Sequence, residues 1–213
     1  MKKILMVVLF LVFSLLLTGC IKKEKTHTEG LEFELIEGKD AYAVIGYTGD
    51  SSEVYIGSHY NSLPVIKIER DVFLGMEFIT SIELPDTIEE LGVYCFQRTS
   101  IPKEITVPDK VYYFGASFDI DTDLFVSENH MYHKQKLVDG VNTIMTKDEK
   151  ELIFVNRRHV DRLNREEKTY HIPSTITKIG DFAMYCSDFT KIIVPDHVTE
   201  IGKAAFLHSD SEV

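Results

Sequence analysis

The chain has 213 residues, of which 44% are hydrophobic and 27% charged, and its formal net charge is −11. That balance is globular rather than disordered, and the length suits one ordinary domain. A strongly acidic body lacks the basic footprint that phosphate backbones require, so nucleic acid is not expected as a partner.

In chain order, Lys2 and Lys3 stand before an apolar run over residues 4–17, followed by Leu17-Thr18-Gly19-Cys20. A positive start, a short apolar run and a small-residue cleavage site predict an export signal over residues 1–19. The run is too short for a comfortable transmembrane span, which needs about 20 residues. Leu17 to Cys20 resemble the lipobox of bacterial lipoproteins, and the resemblance implies that Cys20 is acylated and becomes the new N-terminus. Such acyl chains contribute roughly 0.8 kcal/mol per buried CH2. Losing Lys2 and Lys3 with the signal takes the net charge from −11 to −13. Residues 20–30 read as the lipidated cysteine and a tether, and residues 21–29 reach about 30 Å when extended. Lys22, Lys23 and Lys25 lie beside the anchor, close enough to touch lipid headgroups or simply to keep the tether solvated.

Residues 31–213 are governed by a repeat. It reads Ile82-Glu-Leu-Pro-Asp-Thr-Ile-Glu-Glu-Leu-Gly-Val-Tyr-Cys-Phe96, and returns one residue shorter over 105–118. Further copies cover 170–184 and 192–206, and a degenerate one runs from Val54 to Phe73. Within each unit, alternation before the proline predicts a short strand with one face inward. Proline, lacking an N–H, stops that strand. The Ile-Gly step predicts a turn in which glycine takes a backbone conformation that other residues resist. No unit can bury its face alone, so neighbours must stack into a solenoid. Cys95 and Cys186 fall on different coils at different positions. Bridging needs Cα atoms within about 7 Å, so two free, buried thiols are expected.

These units resemble the BspA-like leucine-rich repeat of bacterial surface proteins, over about residues 42–206. The resemblance implies a repeat solenoid of short parallel strands, turns and short helical segments. It is specific for architecture and says little about activity. It also covers an irregular coil at 119–169, where Asn129, Tyr132, Asp139-Gly140-Val141, Lys147-Asp148 and Leu152-Ile153 match a segment often found between such repeats. Within that coil, residues 123–127 read as a strand. Residues 141–146 and 152–155 read as a hairpin around the turn-rich 147–150. The chain stops at 209–213, where a further strand is expected to begin.

Several clusters carry side chains suited to chemistry. Asp119, Asp121 and Asp123 have the spacing of a calcium loop, but Leu124 and His130 occupy the positions that need glycine and glutamate. His130 and His133 are three apart, yet zinc usually takes three or four ligands; they are expected as ordinary surface histidines, and no metal or cofactor is predicted. Arg157, Arg158, Arg162 and Arg165 form a basic loop suited to carboxylates, sulfates or phosphates, with Asp161, Glu166 and Glu167 placed to neutralise it. Nucleophile and phosphate-loop motifs are lacking, so a non-catalytic protein is expected.

Strand alternation leaves Tyr55, Glu83, Thr106, His171 and Ile193 facing outward, as a stripe across neighbouring strands. Such faces are common binding surfaces in solenoids. The sequence therefore predicts an exported, membrane-anchored lipoprotein that recognises a protein or glycan through that stripe. The rival readings are an envelope hydrolase using carboxylates of the irregular coil, and a scaffold whose last coils stack end to end.

Overall fold

The computed structural model describes residues 26–119, 121–156, 168–209 and 211–213. The strands are β1 (Leu31–Leu35), β2 (Tyr42–Tyr47), β3 (Glu53–Tyr55), β4 (His59–Tyr60), β5 (Leu63–Ile68), β6 (Ser81–Glu83), β7 (Glu90–Leu91) and β8 (Glu104–Val107). They continue as β9 (Asp123–Val126), β10 (His133–Val138), β11 (Val141–Thr146), β12 (Glu151–Val155), β13 (Thr169–His171), β14 (Lys178–Ile179), β15 (Lys191–Ile193) and β16 (Glu200–Ile201). Together they form a β-solenoid of about six turns.

The expected short helices are replaced by turns: no helix occurs among the described residues. Backbone angles explain why. After the Ile-Gly step, left-handed residues recur in pairs four apart: Asp71 (φ 63°) and Gly75 (75°), Tyr94 (63°) and Arg98 (57°), Phe182 (58°) and Cys186 (55°), Ala204 (53°) and His208 (57°). A right-handed helix cannot run through such positions.

The glycine expectation is also corrected. Gly92, Gly180 and Gly202 are not among the residues with positive φ. They are glycine because the preceding coil presses on them. A Cβ on Gly92 would lie 2.5 Å from the Arg70 nitrogen, and one on Gly180 would lie 2.8 Å from the Leu152 carbonyl oxygen.

Two parallel ladders run along the stack. One holds β2, β5 and β7, extended by a bridge from Glu90 to Tyr113. After a gap it resumes as β12, β14 and β16. On the other side stand three two-stranded ladders, β3–β6, β8–β9 and β13–β15. β1 pairs antiparallel with β2 and covers the first coil.

The hairpin expected around residues 147–150 is present as β11 and β12. β10, which the sequence reading did not place, pairs with β11. This hairpin separates two cores. Ile144 and Phe154 pack into the first, which holds the Phe73, Phe96 and Phe118 stack. Val141, Met145, Leu152 and Val155 pack into the second, around Tyr170 and Phe189. Cys95 is fully buried and burial raises its thiol well above the usual range. Cys186 is also free but only half-buried, against expectation, because it sits in a left-handed turn at the surface of its coil.

Candidate functional site

The five outward residues stand where alternation places them, but in pairs. Tyr55 lies beside Glu83, and His171 beside Ile193. Thr106 lies beside Phe125, a half-buried aromatic on the same face that the sequence reading overlooked. The ladder stops between β6 and β8, where Pro102, without an N–H, leads the chain into β8. The expected continuous stripe is thus three two-rung patches, each at the same position in its repeat. Inward partners explain the orientation: Val54, Ile56, Val107, Leu124, Val126, Tyr170 and Ile192 are buried.

Beyond β9 the face is closed by amide side chains instead of a strand. Asn156 is fully buried; its Oδ1 accepts the Leu124 N–H (2.7 Å) and its Nδ2 donates to the Leu124 carbonyl (2.7 Å). Asn142 Nδ2 donates to the same carbonyl (3.2 Å). One asparagine thus satisfies both groups that the next strand would have met. A lone asparagine at the end of an apolar run was the available signal.

His171 is less free than the sequence implied. Its backbone N–H donates to Asp139 Oδ2 (2.7 Å), and its ring Nδ1 lies 3.0 Å from the same oxygen. Asp139 sits at the β10–β11 turn, so the histidine clips the hairpin to β13.

His130 and His133 are buried, not on the surface as expected. His130 Nδ1 accepts the N–H groups of Tyr132 (3.3 Å) and His133 (3.1 Å), folding the corner inward. The two rings are 5.0 Å apart, and His133 meets Phe114 edge-on at 5.4 Å. Burial, with a smaller effect from His130, lowers His133 to about 4; burial likewise lowers His130.

The acidic triplet holds the fold. Asp119 Oδ1 accepts the Arg98 N–H (2.7 Å), and Lys103 reaches Asp119 (3.1 Å) and Asp121 (3.0 Å). Asp123 is buried. Among the described residues no three His, Cys, Asp or Glu side chains gather as a metal site. Within the hairpin, Lys134 and Lys136 hold Glu149 down to about 2, and Thr146 lowers Asp148. A general acid needs the opposite shift, so these carboxylates lend the hydrolase reading no support. Cys20, Arg157, Arg158, Arg162 and Arg165 lie outside the described residues.

Where the Glu90–Tyr113 rung ends and β12 begins, a cleft of ≈390 Å³ opens, lined by Tyr112, Tyr113, Tyr132, His133, Glu151 and Lys178 among others. It exists because the hairpin stands where the next coil's rung would lie.

A family model described as "BspA type Leucine rich repeat region" matches six copies at residues 58–124 and 164–212. No curated protein matches the chain. Among solved structures, a leucine-rich repeat protein from Eubacterium ventriosum is 21% identical, with 65% of this chain and 42% of that one covered and a TM-score of 0.42. The pneumococcal vaccine antigen PcpA is 13% identical, covering 86% and 67%, with a TM-score of 0.46. A leucine-rich cell surface protein from Faecalibacterium prausnitzii is 14% identical, covering 86% and 74%, with a TM-score of 0.37. The chain thus spans less than half of the Eubacterium protein's length.

Proposed function

The chain belongs to the BspA-type leucine-rich repeat family, and from that premise we propose that it is an exported lipoprotein, tethered through Cys20, that recognises a partner without catalysis. The observation that carries this reading is the outward face of β3, β6, β8, β9, β13 and β15. It sets Tyr55, Phe125 and an exposed Ile193 (37%) among polar neighbours. A half-buried tyrosine and phenylalanine beside an exposed isoleucine within a polar rim suit a protein contact. His27 and Thr28 are not tether, contrary to expectation: the Thr28 N–H donates to the Tyr55 carbonyl (3.0 Å) and His27 Nε2 lies 2.8 Å from the His59 carbonyl. The tether ahead of them reaches about 20 Å when extended, which favours partners near the membrane. The basic loop holding Arg157, Arg158, Arg162 and Arg165 is the alternative contact, for a glycan or another ligand with sulfate or carboxylate groups.

Crosslinking on intact cells tests the face. Thr106→Arg with Ile193→Arg, at equal surface abundance, is expected to lose the partner that wild type captures. Equal capture by both would remove the face from the reading and move attention to the basic loop. His171→Glu is a poor choice for this test, because it sets a second carboxylate against Asp139. The anchor is tested separately: Cys20→Ser is expected to leave the membrane fraction, and continued co-sedimentation would sink the lipoprotein assignment.

A further inference from the structure

The interruption of the ladder creates a surface that the regular coils do not have. The cleft of ≈390 Å³ adjoins a second of ≈480 Å³, and both are lined by Tyr132, Thr146, Glu151 and Lys178. They form one open groove across the seam between the two cores. Each part is within the size range of small-molecule sites, and the open, joined shape suits a chain of rings rather than a single one.

Two aromatic rings stand at this groove with more than a third of their surface in solvent. Tyr112 is 42% exposed and Tyr132 is 43% exposed. Their centroids are 5.9 Å apart and their planes meet at 75°, which makes an aromatic corner. Neither ring is loose. The Tyr112 hydroxyl donates to Glu90. The Tyr132 ring packs between Tyr112 (5.9 Å) and His133 (6.2 Å), on a backbone whose N–H donates to His130 and whose carbonyl accepts the Lys147 N–H (3.0 Å). Rings held this way present their faces at little further entropic cost.

Across the groove runs an ion pair, Lys178 Nζ to Glu151 Oε1 at 3.1 Å. The other charges that line the groove are also mixed in sign, Lys147 and Lys150 against Asp148, Asp181 and Glu200, so neither a free anion nor a free cation is favoured. A ligand whose hydroxyls both donate and accept satisfies the pair without disturbing its charge balance. Thr146 and Thr177 line it too; their hydroxyls already donate to Asp148 (2.6 Å) and the Lys150 carbonyl (3.4 Å) and so offer a ligand acceptor capacity alone.

We propose that the groove between Tyr112, Tyr132 and the Glu151–Lys178 pair binds a neutral oligosaccharide, whose apolar ring faces stack on the tyrosines. This site is separate from the strand face and goes beyond the reading above.

The test titrates the purified full chain in detergent with four neutral probes: cellotetraose, chitotetraose, maltotetraose and mannotetraose. Calorimetry and tyrosine fluorescence report binding, since the chain has no tryptophan. At least one probe is expected to saturate in the millimolar range or below. Tyr112→Ala and Tyr132→Ala are each expected to weaken it roughly tenfold, while Tyr132→Phe keeps it, because the ring face matters and the hydroxyl does not. Both tyrosines have more than a third of their surface in solvent, so the alanine variants should stay folded with one cooperative melt, lowered slightly by the lost Tyr112–Tyr132 and Tyr112–Glu90 contacts. The Thr106→Arg, Ile193→Arg variant is expected to bind sugar normally, so failure here and failure of the face are told apart. The proposal falls if no probe saturates, or if affinity is unchanged in both alanine variants. It also falls if an oligolysine peptide or an acidic uronate tetrasaccharide binds in a tyrosine-dependent way and the neutral probes do not.

Discussion

The regular coils and the β11–β12 hairpin solve the same burial problem in opposite ways. In a coil, strand alternation sends one face to the interior, and one aromatic per coil (Phe73, Phe96, Phe118) stacks on the next. In the hairpin both faces are buried, since Ile144 and Phe154 serve the first core while Val141, Met145, Leu152 and Val155 serve the second. A coil packs on its neighbours alone; the hairpin contributes buried side chains to both cores, beside the direct contact of Tyr94 with Phe182 and Tyr185. Insertion into a solenoid therefore need not be an external decoration. Here it is a partition that joins two stacks.

The largest test of that contrast compares a core truncation in each region. Phe96→Ala is expected to cost about 3–5 kcal/mol, and Ile144→Ala about 2–5 kcal/mol. If the hairpin unites the cores, chemical denaturation of both variants stays a single transition, with fluorescence and circular dichroism coinciding. Two separated transitions in the Phe96 variant, whose hairpin is intact, would show that the hairpin does not couple the cores.

The next effect belongs to β10, which pairs with the hairpin. His133 has its folded value lowered from 6.5 to about 4, first by burial and then by His130. The unfolded chain binds the proton more readily between those values. Stability is thus complete above about pH 6.5 and is lost as pH falls towards 4, by about 3 kcal/mol. Asp109 and Lys147 act on the neighbouring His130, and burial lowers that ring too. His133→Leu is expected to flatten the melting temperature between pH 7 and pH 5 relative to wild type. An undiminished acid slope would place the titration elsewhere.

The same contrast explains what the sequence reveals. The coil rule is written in local pattern: apolar alternation, a proline that ends the strand, and a small-large apolar pair. The solenoid, the outward residues and the hairpin's two strands were accessible that way. What the pattern does not carry is the neighbour across the coil. The glycines are needed for a backbone pressing from the previous turn, which no residue in their own repeat discloses. Burial of His130 and His133 depends on a corner folding under the first core, and the groove on a rung that is displaced. Thr106 is readable as outward from alternation, but not its pairing with Phe125, because the strand carrying Phe125 begins the irregular coil.

Glycine substitution sharpens the point at smaller magnitude. Gly92→Ala would bring a methyl within 2.5 Å of backbone atoms of Glu69 and Arg70, which cannot rotate away. Roughly 1–3 kcal/mol of destabilisation is expected from such overpacking. Gly115 holds the same place in the coil that adjoins the insert, one residue shorter. Its added methyl would meet only side chains, the nearest being the Tyr113 hydroxyl at 3.1 Å and Phe182 at 3.5 Å. Gly115→Ala is expected to melt close to wild type, and equal losses at both positions would contradict the close-approach account.

The smallest effect separates the regions by sign. Arg98 and Glu149 share left-handed angles (φ 57° and 59°), one in a regular coil and one in the hairpin turn. Glycine relieves such strain by about 1 kcal/mol and returns part of that through a more flexible unfolded chain. At Arg98 the backbone N–H still donates to Asp119 after substitution, and the lost ion pair with Glu77 is exposed and weak. Arg98→Gly should therefore gain stability by less than about 1 kcal/mol. Glu149 instead holds Lys134 and Lys136 together across the hairpin, so Glu149→Gly should lower the melting temperature. Paired melting curves decide it: a gain at both sites would mean that backbone strain outweighs side-chain contacts even in the hairpin, and the two regions would then differ in packing alone.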